Sequence, residues 1–498
     1  MADFQLISQQ LKEQLASLPK SGTVQKAGRV KTVNDGVVLI DGLADVVMGE
    51  LLYLGGEKYA LALNLEEKQV GAILLSGEDD VSAGDIVYAT KRVASVPVGR
   101  DLLGRVIDPL GNPLDGGRPI RPHRYRDLES PAPTIWQRAK VDESLETGVK
   151  AIDSIVPIGK GQRELIIGDR QTGKTALAVD AIINQKGKNV ICVYVAIGQK
   201  ISTVRKLIDD LQAHDAMSYT VVVSATAAES APLQYLAPYT GTAIAEEFMY
   251  KGKDALIIYD DLSKHAVAYR TISLLLRRPS GREAYPGDIF YLHSRLLERS
   301  AHLSPALGGG SLTALPIIET LSGDIAAYVP TNVISITDGQ IYLESELFHA
   351  GIRPAINVGL SVSRVGSAAQ SKAIKRLSGK IRLDLAHYRE MQLFARFGAD
   401  LDAGTKAILA RGERLTECLK QPRYQTVPLE DMTVELYVMT NDLLRSVPAK
   451  EVRGKIAALL EDMRLNDERT LAKIRANRDF DEADEAAIKA AVDRLLGK

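Results

Sequence analysis

The sequence predicts a multidomain α/β protein. Three observations carry that expectation. Short apolar runs separated by turn residues extend to about residue 93. Strand-like runs then alternate with helical stretches to about residue 367. Charged segments of helical periodicity fill the remainder. At about 150 residues per domain, 498 residues suffice for roughly three domains.

In the first segment Gly28–Val33, Val37–Ile40, Tyr59–Leu63, Val70–Leu75 and Asp85–Tyr88 read as strands. Asn34-Asp-Gly36 reads as a turn between the first two. Strands this short and closely spaced predict a small barrel or sandwich. An amphipathic stretch, Phe4–Leu18, precedes them. No catalytic constellation occurs there. In the second segment Glu164–Ile167, Val190–Ala196, Thr220–Val223 and Ala255–Tyr259 are almost continuously apolar. That pattern predicts a parallel sheet covered on both faces. In the third, Ile374–Leu385 and Ala487–Leu496 read as amphipathic helices, and no proline follows Pro448.

Composition excludes several classes. Lys and Arg number 62 against 63 Asp and Glu, so no global field attracts nucleic acid, and none is expected as a partner. Two cysteines, Cys192 and Cys418, cannot build a disulfide framework, and no Cys/His cluster suggests zinc. No apolar run approaches the roughly 20 residues of a spanning helix. The start, Met1–Leu15, lacks the basic flank and apolar centre of a secretion signal.

Chemistry enters at Gly168-Asp-Arg-Gln-Thr-Gly-Lys-Thr175, the pattern G-x-x-x-x-G-K-[ST]. A buried strand leads in and the helix Ala176–Ile183 leads out. In that setting Gly168, Asp169, Arg170, Gln171, Thr172 and Gly173 form a loop whose backbone N–H groups curl around phosphate oxygens. Lys174 is expected to reach the β/γ-phosphates, and the Thr175 hydroxyl to ligate Mg²⁺. The strand Ala255–Tyr259 runs into Asp260 and Asp261, the Walker B arrangement, with Asp260 expected on the Mg²⁺ hydration shell. An ATPase also needs a carboxylate near the γ-phosphate to polarise the attacking water. Its expected place is the end of the strand next to the P-loop strand, read here as Val193–Gln199. That strand ends in Gln199, whose amide can hydrogen-bond a water but cannot take its proton. The expectation is a site that binds Mg-ATP and turns it over slowly or not at all.

Longer strings carry a resemblance: Val156–Thr175, Tyr194–Lys200, Tyr259–Lys264, Leu275–Pro279, Gly281–Asp288 and Ser311–Gln370. Through them the chain resembles the alpha subunits of F-type ATP synthases. The resemblance implies an N-terminal β-barrel with a stalk-binding segment (1–93), a central RecA-like P-loop domain (94–367) and a C-terminal helical bundle (368–498). It implies a hexameric head of three alpha and three beta subunits, a gamma central stalk, and delta and b subunits in a peripheral stalk contacted by Phe4–Leu18. It implies ATP and ADP with Mg²⁺ as ligands, and synthesis of ATP driven by a transmembrane proton gradient. The expected location is the cytoplasmic face of a bacterial inner membrane, or an organellar membrane, with membrane contact only through the ion-translocating sector.

Residue by residue, the resemblance makes Arg364 an arginine finger for the neighbouring beta site, with Ser361 in the same segment and Ser335 facing that site. For the chain's own nucleotide it adds Glu319 near the nucleotide, Phe348 and Arg353 around base and ribose, and Gln421 on adenine. Arg423 stands where the family often has a second Gln, and Lys160 where many relatives have Arg.

Overall fold

The computed structural model describes residues 27–56, 58–76, 80–122, 124–395 and 402–497. The stretch Phe4–Leu18 lies outside them. Two compact units divide the described chain. The first runs to Arg138 and resumes over Val190–Pro316, and the second holds Ala139–Asn189 and the chain from Ile317 onward.

The first unit opens with β1 (Ala27–Asn34), β2 (Val37–Asp41), β3 (Glu50–Tyr53), β4 (Tyr59–Leu65), β5 (Gln69–Leu74) and β6 (Ile86–Val93). They pair antiparallel in the order β1-β2-β5-β4-β3-β6, and β6 returns to β1. The closed barrel resolves the choice between barrel and sandwich. Val38, Ile40, Leu52, Ala60, Ala72 and Val87 point inward and fill it. The β1–β2 turn places Asp35 and Gly36 at φ 41° and 76°, the two positive φ values that a two-residue hairpin requires. Strand β3, whose apolar Leu51-Leu-Tyr53 follows Glu50, was not singled out in the sequence. The Glu50 carboxylate is buried, accepting from the backbone N–H groups of Val47 at 3.0 Å and Lys91 at 2.7 Å.

The remaining strands, in chain order, are β7 (Ser95–Val98), β8 (Val106–Ile107), β9 (Arg124–Asp127), β10 (Leu165–Asp169), β11 (Val190–Gln199), β12 (Thr220–Thr226), β13 (Asp254–Asp260), β14 (Ser311–Thr320), β15 (Gly339–Leu343) and β16 (Val362–Ser363). In the first unit β8, β12, β11, β13 and the leading part of β14 lie side by side and parallel. In the second, the trailing part of β14 pairs with β10, β10 with β15, and β15 antiparallel with β16. Each expected strand is present. Each also runs on into the polar residue that ends it: Asp169, Gln199, Thr226 or Asp260. One expectation is corrected. The neighbours of the P-loop strand β10 are β14 and β15, whereas β11 lies between β12 and β13. Gln199 is therefore not on the strand next to the P-loop strand. A parallel sheet inserts later strands between earlier ones through crossover connections, so closeness in sequence does not give adjacency in the sheet.

The second unit ends in helices over Lys372–Ala395, Ala403–Leu419, Leu429–Thr440, Val452–Asn466, Glu468–Asn477 and Glu482–Leu496. Ile374, Leu377, Ile381 and Leu385 make the buried stripe of the first of these. Asp402 and Asp481 cap the second and the last through their carboxylates. Among the described residues no helix is long and apolar enough to cross a membrane.

Candidate nucleotide-binding site

The P-loop joins β10 to the helix Lys174–Ile183. Gly168 must be glycine, because a Cβ there would stand 2.5 Å from the Leu343 carbonyl oxygen. Gly173 takes φ 102°, a left-handed geometry that turns the chain into the helix with no Cβ to obstruct it. Gln171 also has a positive φ, 61°. No side chain caps the helix N-terminus, so its N–H groups and the positive end of the helix dipole are presented to an anion. The Lys174 ammonium donates to the carbonyls of Gly168 (2.8 Å) and Asp169 (2.5 Å), and Thr172 Oγ1 donates to the Asp169 carbonyl at 2.8 Å. Thr175 is the second residue of the helix.

Asp169 organises the loop. Its carboxylate accepts from Thr320 Oγ1 (2.6 Å), the Gly323 N–H (2.8 Å) and Ser345 Oγ (3.0 Å). Burial pushes this carboxyl up, but those three hydrogen bonds and the Lys174 charge outweigh it and hold it below its ordinary value. The end of β14 and the start of the helix Ser345–His349 are thereby tied to the loop. Thr320, Gly323 and Ser345 were not singled out in the sequence; their only signal is a small polar residue or glycine at an element end. Arg170 pairs with Glu319, which stands opposite Gly168 in the β10–β14 ladder. The Arg353 guanidinium stacks 4.4 Å over the Phe348 ring, and the Arg353 carbonyl accepts the Gln421 N–H at 2.8 Å.

The end of β13 forms a second cluster, within the first unit. Asp260 accepts from the Tyr194 hydroxyl, and from Gln199 Nε2 at 2.9 Å. A bulge between β11 and β12 at Ile197–Gln199 re-aims the Gln199 side chain. Asp261 caps the helix Leu262–Leu275 through the Lys264 N–H at 2.8 Å. Burial pushes its carboxyl up to about 6 against the pull of Lys264.

The residues expected to face a neighbour flank β16 (Ser361 and Arg364) or sit on the helix Tyr328–Ile336 (Ser335). Arg364 is exposed, and its N–H donates to the Asp338 carbonyl at 2.8 Å. Ser335 is exposed and donates to the Asn332 carbonyl at 2.6 Å. Ser361 is buried, its hydroxyl accepting the Tyr342 N–H at 2.9 Å, so it braces β15 from within.

Three stretches of the chain match known domains: the ATP synthase alpha/beta family β-barrel domain over residues 23–91, its nucleotide-binding domain over 148–363, and its C-terminal domain over 370–495. The chain is 57% identical over 486 residues to ATP synthase subunit alpha of Caldanaerobacter subterraneus subsp. tengcongensis, covering 98% of this chain and 96% of that one. It is 56% identical to ATP synthase subunit alpha of Acetivibrio thermocellus, covering 98% and 97%. The chain belongs to the family of ATP synthase alpha subunits. A third relative, from Clostridium botulinum, is 60% identical over 427 residues, covering 86% of this chain and 85% of that one.

Three positions in this ATP synthase alpha chain qualify the expectations. Gln421 spends its amide on the backbone, accepting from the Lys150 N–H (3.0 Å) and donating to the carbonyls of Gly148 (2.8 Å) and Gln425 (2.6 Å). One acceptor lone pair remains for a base. Arg423 stacks 5.2 Å over the Tyr424 ring. Lys160 pairs with Glu143.

Proposed function

We propose that this ATP synthase alpha chain is the regulatory, non-catalytic nucleotide-binding subunit of a rotary enzyme that makes ATP from ADP and phosphate with a proton gradient. In this reading residues 168–175, Glu319, Phe348, Arg353 and Gln421 hold a nucleotide that the chain does not hydrolyse. Thr175 and Asp260 serve its Mg²⁺, since a hydroxyl and a carboxylate are the hard oxygen donors that ion takes. Bound there, Mg²⁺ neutralises phosphate charge. Arg364 is presented to the catalytic site of an adjacent beta subunit in an alternating hexamer, with gamma, delta and b subunits as further partners. Residues 1–93, 94–367 and 368–498 are proposed as its domains. The head is held at the cytoplasmic face of the membrane, or at an organellar membrane, through the ion-translocating sector.

The observation that carries the non-catalytic reading is Gln199. Its amide donates to Asp260, and an amide offers no base to an attacking water. The isolated chain is expected to bind Mg-ATP and to release phosphate very slowly. Equilibrium binding and a phosphate-release assay on one preparation check this, and brisk hydrolysis refutes it. Lys174→Ala is expected to weaken nucleotide binding to this chain about 10- to 100-fold, the loss of one or two charge-assisted hydrogen bonds. Dialysis with labelled ATP reads it. Unchanged affinity would remove Lys174 from the phosphate site.

A further inference from the structure

Beneath the strand pair that leads to Arg364 lies a buried carboxyl that the nucleotide site does not use. Glu164 has no exposed surface. Its Oε2 accepts from Gln162 Nε2 at 2.7 Å, and its Oε1 has no partner. Gln162 also donates to Ser363 Oγ at 3.2 Å, and that hydroxyl donates to the Pro157 carbonyl at 2.7 Å. A Cβ on Gly339 would stand 2.6 Å from Glu164 Oε2 and 2.2 Å from the Val362 carbonyl. The carboxyl is therefore packed directly against the Gly339–Ser363 pairing of β15 and β16, one residue before Arg364.

We propose that Glu164 is a positioning residue for Arg364, acting through the charge of its carboxyl: neutral, it leaves the exposed guanidinium free to face the next chain; ionised, it draws that guanidinium back onto its own chain. The inference rests on the reading of Arg364 as a finger. Two charged groups act on Glu164, Asp338 and Arg364. The first of them, Asp338, is held by the Arg163 guanidinium through two hydrogen bonds, at 3.0 and 2.9 Å. Asp338 itself disfavours a second negative charge. Arg364 favours the ionised carboxyl. Burial pushes the Glu164 carboxyl well above its ordinary value, Asp338 adds to that, and neither Gln162 nor Arg364 cancels it. The folded value is raised, so the support Glu164 gives to folding is complete below the ordinary carboxyl range and is lost as pH rises through the raised value.

The test is the pH profile of ATP hydrolysis by the assembled complex, parent against Glu164→Gln, whose side chain is permanently neutral. The parent kcat is expected to fall on the alkaline side as Glu164 ionises, by up to about tenfold per pH unit above its pKa. In Glu164→Gln that fall disappears while KM for ATP follows the parent. Glu164→Asp keeps an ionisable group and retains a fall with a displaced midpoint, which covers failure of the Gln variant to assemble. A parent with no alkaline fall, or a Gln or Asp variant that departs from its stated profile, overturns the inference. Arg364→Ala separates the two ideas. If it turns over like the parent, the finger reading fails and this inference with it. If it is slow while Glu164→Gln keeps the parent profile, only the role of Glu164 is wrong.

Discussion

Replacing Arg364 by alanine is expected to lower multisite ATP turnover of the assembled complex by about 10³- to 10⁵-fold, equivalent to roughly 4–7 kcal/mol of barrier. The size follows from the chemistry of a transferring phosphoryl group. Charge spreads over its equatorial oxygens, and a planar, permanently protonated guanidinium answers it with a fork of donors. On the proposed reading Arg364 is such a group. The Arg364 N–H is fixed to the Asp338 carbonyl, and Asp338 is itself clamped by Arg163, while the side chain remains exposed. The loss should fall on kcat, and nucleotide binding to this chain's own P-loop should not change. Arg364→Lys should recover little, because a point charge cannot reproduce the fork. Single-turnover and steady-state hydrolysis of the reconstituted complex measure the effect. A fall of less than tenfold would leave Arg364 as a surface cation and nothing more.

The parts of this molecule that show in its sequence are those where one residue type has one physical use. The P-loop is legible because Gly168 and Gly173 occupy positions where a Cβ would collide or a positive φ is needed. The four apolar strands are legible because both their faces are covered. The barrel's first hairpin is legible because Asp35-Gly36 suits positive φ. What the sequence hides is tertiary. Nothing in the sequence marks Glu50 and Glu164 as buried carboxyls, which they are. Gln421 reads as a base contact and spends most of its amide on the backbone around Gly148 and Gln425. Gln199 carries its chemical message, an amide at a strand end, in sequence alone, yet the order of the strands could be learned only from their pairing. The support of the loop by Thr320, Gly323 and Ser345 depends on contacts about 150 to 176 residues distant from Asp169, which no local pattern announces.

Glu246→Ala is expected to be the most damaging single change to the fold, destabilising the first unit by about 3–5 kcal/mol. Glu246 lies near the end of the helix Ala231–Met249 with no exposed surface. The Arg299 guanidinium, only 1% exposed, binds it bidentately through two bonds of 2.7 Å, and Arg126 adds a third at 3.0 Å. Arg299 also donates to the Leu128 carbonyl at 2.7 Å. Removing the carboxylate strands a buried cation that keeps only one backbone acceptor for its five donors. The cost is that of an unpaired charge, so the double variant Glu246→Leu with Arg299→Met should recover most of it. Thermal melting of the single and double variants reads both. A single variant within 1 kcal/mol of the parent would mean that the cluster has little structural weight. The consequence reaches the ends of β11 and β13 through packing. The same helix carries Gly241, where a Cβ would stand 2.3 Å from Val195 on β11 and 3.4 Å from Ile257 on β13. Those strands end in Gln199 and Asp260. Loosening the helix should therefore slacken the Gln199–Asp260 contact as well, and amide exchange along β11 and β13 should rise in Glu246→Ala before the unit melts.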